Sequence, residues 1–170
     1  METLITLQAE TPCGLNHIVL NVRDLDRAHA FWTACLGFRH VGTWQRPGPE
    51  GAPLARMRFY SGEKQGKLRH HDVALLEQPS LPSELPRHLQ VLNHVAVTYA
   101  TREAWQRQIR FLISKGMTPD RQLERGAIYS AHLHDPDGNE IELVCEWQRE
   151  IWENDTDAAI NHAVALPVGS

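Results

Sequence analysis

The chain has 170 residues, 42% of them hydrophobic, with 11 glycines and 10 prolines, which suits one globular domain with a buried core and gives no sign of disorder. Its formal charge of -4 gives no general attraction for nucleic acid or an anionic lipid surface, so a small-molecule ligand is expected. No run of about 18 apolar residues occurs, and the opening METLITLQAETPCGLN lacks the basic and apolar regions of a secretory signal, so no membrane association and a cytoplasmic location are expected.

The first patterned element is a strand, Leu15-Asn16-His17-Ile18-Val19-Leu20. Asp24 then offers a side-chain oxygen to the free amides of a helix whose apolar residues, Leu25, Ala28, Phe31, Trp32 and Leu36, recur at helix-compatible spacing, and Gly37 ends it. Strand-like runs follow at roughly 38–44, 54–60 and 69–77, separated by Arg46-Pro47-Gly48-Pro49-Glu50-Gly51 and by Ser61-Gly62-Glu63-Lys64-Gln65-Gly66. Residues 78–90 carry Pro79, Pro82 and Pro86 and read as a linker without regular structure.

The same order then recurs. Leu92-Asn93-His94-Val95-Ala96-Val97 repeats the first strand, Thr101 opens a helix with Trp105, Ile109, Leu112 and Ile113, and Gly116 closes it. Further runs are predicted at roughly 118–123, 128–134 and 139–146, with Asp135-Pro136-Asp137-Gly138 as the last turn. The chain is therefore βαβββ twice. Beyond it, Gln148-Arg149-Glu150-Ile151-Trp152 is a short amphipathic stretch that predicts a helical turn, with Trp147 and Trp152 packing on the core. Residues 158–170 have no clear pattern and read as an irregular or docked tail. Cys13, Cys35 and Cys145 lack C-x-x-C spacing and read as buried thiols, not a disulfide framework or zinc knuckle.

A histidine in the first strand of each copy, His17 and His94, and Glu142 in the strand after Asp135-Pro136-Asp137-Gly138-Asn139, resemble the pattern of the vicinal oxygen chelate superfamily. That superfamily holds glyoxalases, fosfomycin-resistance transferases, bleomycin-binding proteins, methylmalonyl-CoA epimerases and type I extradiol dioxygenases. The resemblance covers residues 14–147 and implies a single α+β domain. In it, modules 14–77 and 91–147, joined by linker 78–90, form an open, cup-shaped mixed β-barrel with flanking helices, followed by a tail at 148–170. It also implies that His17, His94 and Glu142 hold one divalent metal ion in the cup, and that the protein is a homodimer, since exposed strand edges need covering.

The chemistry agrees with that ligand set. Two imidazoles and one carboxylate on one face of a metal leave the opposite face open, as non-haem Fe(II) oxygenases require. Alternation on the last strand places Glu140, Glu142 and Val144 on one face and Ile141, Leu143 and Cys145 on the other. A carboxylate inside an apolar barrel is expensive unless paired or metal-bound, so Glu142 needs a partner.

Arg69-His70-His71-Asp72-Val73-Ala74-Leu75 resembles the corresponding run of extradiol dioxygenases, and the likeness is closest to the single-domain type I enzymes. It implies that His71 is an acid/base group beside the metal rather than a ligand, and alternation puts His70 and His71 on opposite faces. The implied reaction is cleavage of an aromatic diol by O₂: both diol oxygens chelate Fe(II), and the ring opens beside the diol to a hydroxymuconic semialdehyde type of product. Mn(II) suits the same ligands. His132 stands three residues before the Asp135 turn, where the family commonly has tyrosine, and is expected to donate to a bound phenolate oxygen. Relatives often read D-H-G-V where this chain reads Glu124-Arg125-Gly126-Ala127. Arg125 there suits an anionic substrate group, such as the carboxylate of a catechol acid, or is a solvated turn residue. Tyr129 is the other expected substrate contact, although it and His132 can both line the pocket only if their strand is bulged.

Other members of the superfamily imply other chemistry. A glyoxalase or epimerase needs a further carboxylate, and Asp72-Val73-Ala74 contains no glutamate. A fosfomycin-type thiol transferase needs a basic cluster, which Lys64, Lys67 and Arg69 imitate. A non-enzymatic protein that sequesters an antibiotic is the third class.

Overall fold

Each copy of the repeat begins with a strand, turns at a capped helix and returns as three antiparallel strands. The computed structural model describes residues 9, 11–46, 55–82 and 91–169; the Pro47–Gly51 part of the first predicted separator and Pro86 of the linker lie outside them. In the first copy β1 (Ile18–Val22) leads to α1 (Leu25–Ala30), where the Asp24 carboxylate accepts from the amides of Asp26 and Arg27, each at 2.9 Å. A wider turn follows, in which the Leu36 amide donates to Phe31 O at 3.1 Å, and Gly37, at φ +83°, ends it. Next come β2 (Arg39–Arg46), β3 (Ala55–Ser61), a small hairpin of β4 (Glu63–Lys64) and β5 (Lys67–Leu68), and β6 (Val73–Glu77).

The second copy has β7 (Val95–Thr98), α2 (Arg102–Ser114), β8 (Arg121–Arg125), β9 (Ile128–His134) and β10 (Glu140–Glu146). Thr101 caps α2 by accepting from the Ala104 amide at 3.1 Å, and Gly116 at φ +79° ends it. The tail is more ordered than its sequence suggested: α3 (Arg149–Trp152), α4 (Thr156–Asn161) and β11 (Ala163–Leu166) follow.

The strand order is β1-β6-β3-β2 in a four-stranded sheet and β11-β8-β9-β10-β7 in a five-stranded one. In both, the first strand of the module runs parallel to its last, with Val19 opposite Ala74 and Ala96 opposite Glu142. The duplication is thus one of pairing as well as of letters. Among the described residues the two sheets share no strand pair and close no barrel, and each is one open half. β1 and β7 are outer strands of their sheets, and β11 covers the outer side of β8.

One apolar core joins the modules. Leu20, Val22, Val73 and Leu75 of the first sheet, Trp32 and Leu25, Trp105 and Ile109 of α2, and Ile141 and Leu143 of the second sheet belong to one buried cluster. Polar ties reinforce it: Gln108 Nε2 donates to Cys35 O at 2.6 Å, and the Arg23 amide to Asp137 Oδ1 at 2.9 Å. Because one strand face is used by this core, alternation turns Val19, Ala74, Ala96, Glu140 and Glu142 to the other face.

Two expectations are corrected. β6 begins at Val73, not at residue 69, because Asp72 is bound in a turn: its carboxylate accepts from the Gly62 amide at 2.9 Å and from Ser61 Oγ at 3.1 Å. Of the three thiols only Cys145 is buried, with Cys35 intermediate and Cys13 exposed. Among the described residues no helix is long and apolar enough to cross a membrane.

Candidate metal centre and adjoining cavity

Pairing across the second sheet sets Arg121, His132, Glu142 and Ala96 in one cross-strand row. His94, immediately before β7, reaches the same place. Its Nε2 lies 3.2 Å from Glu142 Oε2, and its Nδ1 lies 2.6 Å from Asn93 Oδ1. An amide oxygen only accepts, so the ring proton is committed at Nδ1 and Nε2 presents a lone pair to a carboxylate that is 6% exposed. Two acceptors facing each other at that distance need a positive charge between them, and either a proton on Nε2 or a cation meets the need. A divalent ion therefore fits this donor pair.

His132 is buried behind the pair. Its Nδ1 lies 2.8 Å from Glu140 Oε1 and its Nε2 3.3 Å from Glu142 Oε1, with Ser130 Oγ at 3.4 Å. Arg121 completes the group, paired with Glu140 and 2.9 Å from His132 Nδ1. Burial pushes the Glu142 carboxyl up, but the His132 hydrogen bond and the charges of His132 and His94 outweigh it and hold the pKa below the ordinary range. Glu140 behaves alike: burial is outweighed by His132 and Arg121. Glu142 is thus an anion with its second oxygen steadied, as a ligand needs to be.

The first module has its own cluster. His17 Nδ1 lies 2.8 Å from Asn16 Oδ1, the geometry of Asn93 and His94 repeated. The His17 and His71 rings stand 4.3 Å apart between centroids, and His71 Nδ1 meets His70 Nδ1 at 2.8 Å. The expectation that His70 and His71 face opposite ways is corrected here: both precede β6, so strand alternation does not apply to them. Burial, then the neighbouring charges of His17 and His70, lowers the His71 pKa, with Asp72 opposing. Among the described residues no hydrogen bond, ion pair or ring contact joins the His17 cluster to the His94–Glu142 pair, and no group of three or more His, Cys, Asp or Glu side chains is placed to hold an ion.

The remaining expected residues divide. Arg125 lines a cavity of about 390 Å³ that also touches His94, Arg121, His132 and Glu142. Its apolar side is Ala127, Ile128, Ala159 and Ile160, the last two from α4. Gly126 allows that approach: a Cβ there would come within 2.7 Å of Ala159 Cα, and its amide donates to Ala159 O at 3.1 Å. Tyr129 lies elsewhere. β9 pairs with β10 without a bulge, so Tyr129 takes the face opposite His132 and stacks on Trp147 at 5.1 Å, with Arg102 over its ring at 4.3 Å. Lys64 and Lys67 are exposed on the hairpin, and Arg69 pairs with Asp72 at 3.3 Å, so they form no basic pocket.

Asn16, Asn93, Arg121 and Glu140 were missed as site residues. The two asparagines were visible, since each precedes its histidine in both copies, and Glu140 shares a strand face with Glu142. Nothing in the sequence marked Arg121, whose role depends on the register of β8 against β9.

The family model described as Glyoxalase/Bleomycin resistance protein/Dioxygenase superfamily matches residues 14–143. Biphenyl-2,3-diol 1,2-dioxygenase 2 of Rhodococcus globerulus is 34% identical over 74 residues, which is 44% of this chain and only 39% of that protein. A glyoxylase/bleomycin resistance protein/dioxygenase domain from Frankia sp. EAN1pec superposes with a TM-score of 0.63 at 16% identity, over 81% of this chain and 100% of that one. The fosfomycin resistance protein FosX of Listeria monocytogenes gives 0.55 at 20% identity, over 82% and 98%. Lactoylglutathione lyase of Agrobacterium tumefaciens gives 0.53 at 18%, over 80% and 96%. At these identities the structural likeness is one of fold.

Proposed function

We propose, from the premise that this chain belongs to the glyoxalase/bleomycin resistance protein/dioxygenase superfamily, that it is a metal-dependent extradiol dioxygenase opening a catechol-type ring with O₂. The metal ligands in this reading are His17, His94 and Glu142. A divalent ion bound there supplies Lewis acidity toward a diol and, as Fe(II), the reducing power that O₂ chemistry needs; Mn(II) fits the same donors.

The observation that carries the proposal is the inequality of the two modules. Ala96 faces Glu142 in the second, while its counterpart in the first, Val19, faces Ala74, which has no donor. A glyoxalase or epimerase reading needs a carboxylate at that point, whereas three protein donors leave positions for a bidentate diol and a gas. His71, not a ligand but packed against the ligand His17, supplies the acid/base function. In this reading His71 Nδ1 donates to His70 Nδ1, which leaves Nε2 as the nitrogen that takes a diol proton, and burial lowers the His71 pKa so that the ring is neutral near neutrality. His132 acts by holding Glu142 and Glu140. The partial match to a biphenyl-diol dioxygenase supports the substrate class.

The assembly in this reading is a homodimer. β1 and β7 are open edges, and Leu15, Val19, Val91 and Leu92 beside them are exposed. A second copy along those edges would cover them and let a His17–His71 face meet a His94–Glu142 face. The test is anaerobic loading with Fe(II), addition of a catechol panel, then admission of air while absorbance and O₂ are followed. Uptake of one O₂ per diol lost is the expected result. Metal-replete protein that consumes no O₂ with any catechol rejects the proposal in favour of a transferase or a binding protein.

A further inference from the structure

The cavity beside His94 and Glu142 has an unbalanced charge. Two guanidinium groups line it, from Arg121 and Arg125, both on one face of β8. Arg121 is paired with Glu140, and Glu142 faces His94 and His132. The Arg125 side chain, half-buried, makes no hydrogen bond or ion pair with any described residue. Its backbone is nevertheless fixed, because β11 pairs with β8 through Ala163 opposite Arg125. A positioned, partly desolvated and unmatched guanidinium is a ready partner for a planar oxyanion, which it holds by two parallel hydrogen bonds.

Spacing says what lies between. Arg121 shares the row of His132 and Glu142, and Arg125 lies four residue steps further along β8, about 13 Å at the usual rise. The wall along the gap is apolar, formed by Ile128, Ala159 and Ile160, and about 390 Å³ suits a single-ring ligand.

We infer that Arg125 binds a carboxylate on the substrate ring, so that the molecule accepted here is an aromatic diol carrying an acid group, not a neutral catechol. The diol half of this statement rests on the ring-cleavage reading; the carboxylate half rests on the cavity alone. The C-terminal segment then has a function, since α4 supplies the wall against the ring and β11 fixes the arginine.

The test separates the halves. Anaerobic Fe(II)-loaded protein is titrated by tryptophan fluorescence with catechol, 2,3-dihydroxybenzoate, 3,4-dihydroxybenzoate and 3,4-dihydroxyphenylacetate. A second series without diols compares benzoate with benzamide and phenylacetate with phenylacetamide. At least one carboxylate in each series should bind about tenfold or more tightly than its neutral counterpart. Arg125→Gln should bring those ratios near one and Arg125→Lys should retain part of them, with unfolding curves and metal content confirming intact protein. A carboxylate preference in the second series, lost in Arg125→Gln, upholds the anion site even if no diol is cleaved, in which case only the ring-cleavage reading falls. No preference in either series, or one that Arg125→Gln retains, overturns the inference. Phenylphosphonate outcompeting benzoate tenfold would overturn the carboxylate assignment specifically.

Discussion

Asn93 Oδ1 accepts from His94 Nδ1 at 2.6 Å, which turns the other ring nitrogen, Nε2, toward Glu142. Asn16 Oδ1 accepts from His17 Nδ1 in the same way at 2.8 Å, beside His71. A metal-binding histidine works through one nitrogen, and the partner of the other fixes tautomer and ring angle. In the proposed reading, the repeat carries each ligand histidine together with the asparagine that orients it.

Removing that partner should therefore weaken metal binding without removing a ligand. Asn93→Ala is expected to lower Mn(II) affinity by roughly 10–100-fold in competition with a chromogenic chelator, while Asn93→Asp, which keeps an acceptor, should retain most of it. Glu142→Ala should abolish stoichiometric binding altogether. Full Mn(II) binding by Glu142→Ala would sink the ligand assignment, and undiminished affinity in Asn93→Ala would remove the orienting role.

His71→Gln distinguishes a proton carrier from a ligand. The ring stands against His17 with its Nδ1 on His70, so the substitution should leave metal stoichiometry at the wild-type value. Turnover with a catechol should fall about 10²–10⁴-fold, the usual contribution of a positioned acid/base group. Loss of the ion along with the activity would make His71 a ligand instead.

Much of this was legible in the sequence because the repeat, the helix caps and the turn glycines are local signals. Asp24, Thr101, Gly37 and Gly116 act where their chemistry predicts. The opposed faces of Glu142 and Leu143 followed from alternation alone. What failed depended on tertiary detail. Asp72 folds its carboxylate back to Gly62, which delays β6 and cancels the alternation expected for His70 and His71. Arg121 reaches His132 through a cross-strand register that no short window reveals, and the tail acquires its strand only by pairing with β8. Tyr129 was a parity problem that the unbulged β9 resolved by sending it to Trp147.

Gly126→Ala tests the docking of the tail. The added methyl would lie 2.7 Å from Ala159 Cα and 2.9 Å from Ala159 O, both backbone atoms that cannot rotate aside. Overpacking of this kind costs about 1–3 kcal/mol, and α4 is the element free to yield. A lower melting temperature and faster proteolysis within residues 155–166 are expected. An unchanged cleavage pattern would show that the tail accommodates the methyl in place.

Acid sensitivity should reside partly in His29, away from the candidate centre. Its Nδ1 lies 3.1 Å from the Tyr60 hydroxyl, whose pKa is pushed up chiefly by burial to about 12, so the hydroxyl keeps its proton beside His29. Burial first, then the charges of Arg58 and His40, lowers the His29 pKa below its ordinary 6.5, with Asp26 opposing. The folded value is therefore the lower one, and the sign follows: above pH 6.5 the ring is neutral in both states and the contribution is complete. As pH falls from there through the depressed folded value, the unfolded chain takes up the proton first and stability is lost. His29→Gln, which cannot titrate, should show a shallower decline of melting temperature across that window than the wild type. Parallel curves for the two proteins would mean that His29 is protonated equally easily in both states, and the burial argument for this pair would fail.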